Sequence, residues 1–446
     1  MSALPAAKAA AVVQLVESVP DAALTRLAAA VSLMPGEQAA ELGRMIARES
    51  RDRELRAIAF SPVAALFTPR TDGFPAPTYP RAVMARLWKL ASVPEPALTQ
   101  KLDAIGVEDA VVDRIGDQFL RAAARALRDT PDKAWPGADV AQRDRLALLF
   151  DLGQLMRKAA PRLRAWTARP DEDQVAELRV LFREAASMAP DGAERFVELI
   201  FAHVADAPLI LRIVTLSAEA ASNSDVLSNS ELAPFVDGLL EATEQRVARI
   251  EAFVARPTRD QVLDVAAAVD WCGDVLREMG LTVKPAPDSR WGKAVQAMKA
   301  RVERQALSAL KAGAKAVEAG FPLARPKGAH KSAPLEPDLT AAPDGPVIEQ
   351  ALSLLGMVER ARLTLSEFGC ESARQATMKD AIKHLADFAE KGLGQVRGPA
   401  TDGERLIRRA AEVLSGVGER ELAKALGRRL DARVADDGMA AVRAIA

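Results

Sequence analysis

Along residues 290–315 the apolar positions Trp291, Val295, Met298, Val302 and Ala306 recur every three or four residues. At 3.6 residues per turn they fall on one side of a helix. The bases Arg290, Lys293, Arg301, Arg304, Lys311 and Lys315 gather on the opposite side, within an arc of about 80 degrees. The rest of the chain is written in the same alphabet. Alanine, leucine, arginine and glutamate dominate, aromatics total 4% and there is one tyrosine. These residues favour helices, and those that fill pleated surfaces are scarce.

The breaks repeat one style, a proline followed by an acid: Pro20-Asp21, Pro94-Glu95, Pro131-Asp132, Pro170-Asp171 and Pro190-Asp191. Proline suits the first helical turn because its missing N–H has no intrahelical partner there, and the carboxylate meets the positive end of the helix dipole. Each pair therefore predicts a helix start. Ser228-Asn229-Ser230-Glu231 has capping-box spacing and predicts a long helix to about Ala255.

The expected architecture is all-α, a multi-helix bundle or an irregular α-solenoid, with a proline-rich linker before a C-terminal helical segment. Residues 1–135 form an N-terminal helical region. Its first 52 residues read as two or three short helices, and residues 53–135 as less regular. Within the latter, the proline-rich stretch 60–80 carries Phe60, Phe67, Phe74 and Tyr79 and is expected as an ordered loop seated near Trp88. Residues 136–320 form a body of long helices, 321–346 an extended and mobile linker with six prolines, and 347–446 the last helical segment. Segments 162–175 and 249–262 match at eight of fourteen positions, 87 residues apart, with Trp166 opposite Phe253. They suggest either a duplicated unit or one helix–turn–helix solution used twice.

Composition narrows the function classes. A 446-residue chain with 49% hydrophobic and 27% charged residues can bury a sizeable core. A net charge of -1 supplies no global field towards nucleic acid or membrane. Two distant cysteines, Cys272 and Cys370, exclude a disulfide framework and fit a reducing compartment. With neither a secretory signal nor an apolar span legible, the expected location is cytoplasmic, without transmembrane insertion. Arginine outnumbers lysine 44 to 16, a bias that fits a GC-rich, bacterial genome.

Candidate chemistry is thin. GLGQVRG (Gly392, Gly394, Gly398) places its last glycine one residue too late for a dinucleotide fingerprint and follows a helix where a strand is required. Asp380, His384 and Asp387 share a helical face, as a metal stripe or a solvated one, and no second helix of ligands is visible. His203 reads as a core or boundary histidine. Cys272 and Cys370 lack an adjacent base and read as buried thiols. Asp436-Asp437 lacks the second acidic motif of a prenyl-transfer site. No catalytic, cofactor or metal residue is therefore expected.

The strongest signal is charge asymmetry. Residues 289–331 hold ten bases against two acids, whereas residues 219–288 hold thirteen acids against six bases. The basic stripe either pairs with the acidic neighbour or grips phosphates, anionic lipid or an acidic partner. The expected function is a non-catalytic helical scaffold or adaptor that binds a protein partner. Nucleic-acid or anionic-surface binding through 289–331 is the second expectation, and a helical enzyme without a recognisable motif the third. Partner identity and oligomeric state are not legible.

Overall fold

The computed structural model describes residues 12–13, 15–17, 19–72, 74, 76–104, 109–217, 228, 230, 232–325, 330, 334–339, 345–396 and 401–445, the last ten by backbone alone. The protein is 80% helical among the described residues. Among the described residues the only strands are Leu323–Ala324 and Glu336–Pro337, an antiparallel pair with Leu323 opposite Pro337 and Ala324 opposite Glu336. The all-α class is thus observed, and no helix among the described residues is long and apolar enough to cross a membrane. Two compact units, Met1–Pro234 and Phe235–Ala446, divide the chain. Their boundary falls inside the stretch 136–320 that the sequence reads as one body.

The longer helices of the first unit are α1 (Asp21–Ser32), α2 (Glu37–Ala59), α3 (Arg81–Ser92), α4 (Asp109–Asp129), α5 (Val140–Asp151), α6 (Glu172–Met188) and α7 (Gly192–His203). α2 is longer than the short helices expected for residues 1–52, because its pattern runs on through Leu55 and Ala59, both buried. Residues 81–129 are mostly helical, so the irregular part of 53–135 is concentrated at 60–80. The five proline–acid pairs all sit at helix starts. At one of them the Asp171 carboxylate accepts from Gln174 N, and Gln174 Oε1 in turn accepts from Asp171 N.

Aromatic side chains build this unit's core. Phe60 meets Trp88 edge-on at 5.8 Å and Phe150 at 5.1 Å, and Trp88 meets Phe119 at 5.1 Å. Phe67 lies 6.0 Å from Tyr79, which in turn meets Trp135 at 5.7 Å. These rings, large in area and sparing in rotamer entropy, anchor the proline-rich stretch to α3, α4 and α5. Arg70 ties the same stretch to the end of α7. Its guanidinium pairs with Asp72, donates to the Phe201 and Ala205 carbonyls and stacks 4.0 Å over the Phe201 ring.

The second unit contains α8 (Ala233–Ala255), α9 (Val262–Glu278), α10 (Arg290–Gly320), α11 (Gly345–Arg360), α12 (Glu371–Leu393), α13 (Asp402–Gly416) and α14 (Arg420–Ile445). α8 ends at Ala255 as expected, while Asn229 and Glu231 of the capping box lie outside the described residues. α11 is buried without interruption from Ala351 to Val358, as befits a helix that is hydrophobic all round. α10 packs against it closely at Gly313, where a Cβ would stand 2.7 Å from Leu355 Cδ2. Within 321–346, Phe321, Leu335 and Leu339 lie against α12. Lys391 Nζ donates to the Leu335 carbonyl at 3.2 Å, and His384 Nε2 donates to the Phe321 carbonyl at 2.7 Å. Leu339 occupies the space left open at Gly392 and Gly403.

The two matching segments fall in different units. Each buries its aromatic, Trp166 at 0% exposure and Phe253 at 2%. The first ends a five-residue helix and restarts at a capped Asp171, whereas the second ends the 23-residue α8 and restarts through a 3-10 turn at Arg259–Gln261.

Candidate interaction face

α10 orders the cationic stripe. Ser289 caps it, its Oγ accepting from Gly292 N at 3.0 Å. The apolar side seats Trp291, Met298, Val302 and Ala306 in the core, all buried. That leaves the opposite side outward, where all six predicted bases stand. The structure divides them into two groups.

Arg290 and Arg301 are taken up by α8. Arg290 Nη2 donates to both oxygens of Asp237 at 2.8 Å, and Trp291 Nε1 donates to the same carboxylate at 2.7 Å. Arg301 grips Glu251 with Nε at 2.9 Å and Nη2 at 2.7 Å, and its Nη1 reaches Glu244. Hydrogen bonding from Arg301 holds the Glu251 carboxyl below the usual carboxylate range, while the Glu251 and Glu244 bonds raise the guanidinium above its ordinary value. Lys293, Arg304, Lys311 and Lys315 are exposed and form no ion pair with the described residues. Lys327 and Lys331, at the far end of the basic stretch, lie outside the described residues.

The wheel explains this division. With Arg290 at zero, Arg301 falls at about 20 degrees, whereas Lys293, Arg304, Lys311 and Lys315 fall at about 300 to 340 degrees. The first pair faces the edge where α8 lies. The other four project from the neighbouring arc, and the two nearest the C-terminal end, Lys311 and Lys315, border an open groove of about 490 Å³ between α10 and α12. Leu307, Leu310, Ala314 and Val317 line one wall, with Lys311 and Lys315 beside them. Asp380 and His384 stand on the other. Leu307 keeps 39% of its surface exposed. The α10 periodicity carries a trace of this groove. Its opposite wall could not be read from sequence, because α12 begins more than fifty residues after α10 ends.

The remaining sequence candidates resolve into structure. Asp380, His384 and Asp387 do share the α12 helix, but among the described residues no group of three or more histidines, cysteines or carboxylates could hold a metal ion. His203 is a half-buried boundary histidine, its Nε2 donating to the Pro62 carbonyl at 2.7 Å, and burial pushes its pKa down. Cys272 is buried and burial pushes its thiol up to about 12; Cys370 is buried and raised for the same reason. Neither thiol is set up as a nucleophile. Gly392 and Gly394 stand at the end of α12, and Gly398 lies outside the described residues. Asp436 and Asp437 lie on α14, where only the backbone is described.

Sequence reading missed a buried ionic cluster in the first unit. Glu198, 5% exposed, accepts from Arg145 Nε at 3.0 Å and from Arg195 Nη1 at 3.0 Å. Burial, with the Glu198 charge nearby, raises the Tyr79 phenol well above its ordinary value. Its residues come from three separate segments, and only the fold unites them. The cluster joins α5 to α7 through the buried Glu198 carboxylate, with Arg145 reaching partly to solvent, so its work is structural.

Comparison with known proteins assigns none of these features: no family model matches the chain, and no curated protein or solved structure is significantly similar to it.

Proposed function

We propose that this protein is a non-catalytic helical scaffold or adaptor, acting in a bacterial cytosol, that binds a protein partner through the exposed face of α10. One observation carries the reading: four of the six stripe bases, Lys293, Arg304, Lys311 and Lys315, stand exposed with no carboxylate of the described residues in ion-pairing reach. Ion pairs within the second unit account for Arg290 and Arg301, Arg304 adds only a longer-range attraction to Glu251, and Lys293, Lys311 and Lys315 form no ion pair among the described residues. The adjoining groove offers apolar surface, which association needs beyond charge. The test uses the full-length chain and its Lys293→Glu/Arg304→Glu/Lys311→Glu/Lys315→Glu variant as parallel baits, with quantitative comparison of what each retains. A partner retained by the first and lost by the second, at an unchanged melting temperature, is the expected result. Identical retention by the two baits counts against the reading.

Nucleic-acid binding is the second reading, favoured only by the sign of the same four charges. It requires an affinity that falls steeply with salt, because each neutralised phosphate releases counterions. A titration with duplex DNA and with single-stranded RNA at low salt, showing no binding of either, removes it.

A further inference from the structure

The four unpaired bases form a line narrower than the whole stripe. They occupy an arc of about 40 degrees and extend over roughly 33 Å of helix, from Lys293 to Lys315 at 1.5 Å per residue. Carboxylates border this line on both sides. Asp237, Glu244 and Glu251 of α8 lie along one edge, and Glu318 of α10 with Asp380 of α12 along the other. Screening at physiological salt operates over about 8 Å. The α8 carboxylates are already answered by Arg290 and Arg301, so the bordering acids that a wide polyanion, such as a duplex or a lipid surface, would meet outside an ion pair are Glu318 and Asp380. A narrow occupant with a single acidic row would avoid both.

Spacing and packing narrow the choice again. Arg304, Lys311 and Lys315 are separated by seven and then four residues, intervals close to whole turns of an α-helix. A second helix alongside α10, with carboxylates at the same intervals, meets them one for one. Beside this row Leu307 is partly exposed at the groove wall, continuous with the buried Leu310 and Val317. A helix laid there covers apolar surface and answers charge in one placement.

Resting on the protein-binding reading above, we propose that the occupant of this face is a single acidic amphipathic helix of the partner, lying along α10 with an apolar side chain in the α10–α12 groove against Leu307. Its glutamates or aspartates, at i, i+4 and i+11, face Lys315, Lys311 and Arg304.

The probe is a fluorescently labelled synthetic helix with glutamates at those intervals and leucines on the adjoining face, titrated into the full-length chain at low salt. Its comparators are a scrambled peptide of the same composition, polyglutamate of the same charge, and a duplex DNA of similar length. The row peptide should bind about tenfold or more tighter than either acidic comparator. Lys311→Glu/Lys315→Glu and Leu307→Asp should each weaken it by about tenfold, the equivalent of roughly 1.4 kcal/mol, without moving the melt. Failure of the row peptide to bind, tighter binding of the duplex, or indifference to Leu307→Asp overturns the proposal. If row and scrambled peptides bind alike and both are lost with Lys311→Glu/Lys315→Glu, the helical occupant is wrong while the protein-binding face stands.

Discussion

Charge reversal at Arg301 separates the two halves of the cationic stripe. Its side chain is 28% exposed and joins two α8 carboxylates, Glu251 through two nitrogens and Glu244 through the third. Exposed ion pairs are worth about 0.2–1 kcal/mol each, and a bidentate pair sits at the upper end. Losing both contacts therefore costs about 1–2 kcal/mol. A glutamate at 301 adds like-charge repulsion of similar size, so Arg301→Glu should destabilise the second unit by about 2–3 kcal/mol. For a unit of this size each kcal/mol lowers the melting temperature by about 2–4 °C, which predicts a drop of roughly 4–12 °C. Lys311→Glu/Lys315→Glu, which breaks no ion pair among the described residues, should stay within about 0.5 kcal/mol of the parent. Differential scanning calorimetry, with urea denaturation followed by tryptophan fluorescence, measures both. Adding Glu251→Arg to Arg301→Glu re-creates one pair with its polarity exchanged and should recover about half the loss. If Arg301→Glu costs under about 0.5 kcal/mol, or the lysine reversal costs as much as the arginine one, the division drawn between paired and free bases is wrong.

Three further outcomes are expected. Glu198→Ala should cost the first unit about 1–3 kcal/mol in denaturant unfolding, because it removes the partner of the partly exposed Arg145 while Arg195 keeps Asp191 and Glu194; a loss below about 0.5 kcal/mol would contradict the cluster's structural role. Burial lowers the His203 pKa, so the folded state binds a proton less readily than the unfolded chain. Its contribution to stability is full above about pH 6.5 and is lost as pH falls through the folded value. Melting temperatures between pH 7.5 and 5.5 should therefore decline, and His203→Gln should flatten that decline. Lys284, at φ 49°, is the only non-glycine with positive φ among the described residues and closes the turn after α9, its N–H bonded to the Met279 carbonyl at 2.8 Å. Lys284→Gly should raise stability by about 1 kcal/mol, measured as a higher urea midpoint, since glycine adopts this conformation without a Cβ penalty.

Helix starts were legible because they depend on neighbours in sequence. Asp171 caps the residues that follow it, and Pro131 needs no partner beyond its own turn. The inward side of α10 was legible for the same reason, as Met298, Val302 and Ala306 repeat at the helical period whatever they pack against. The partners of Arg290 and Arg301 were visible only as an acidic block, because Asp237, Glu244 and Glu251 lie about fifty residues away and nothing local states which carboxylate meets which base. The groove wall that pairs α10 with α12, and the cluster of Tyr79, Arg145 and Glu198, left no signal in any single window.

What the chain determined by itself was its helical class, where many helices begin, and which side of α10 turns inward. These follow from propensity, capping and periodicity, which act over a few residues. Tertiary structure alone decided which bases of the stripe are neutralised and which remain open, since that depends on the angular position of α8 and α12 around α10. An ion pair forms across a few ångströms of space, and sequence separation carries no record of that distance.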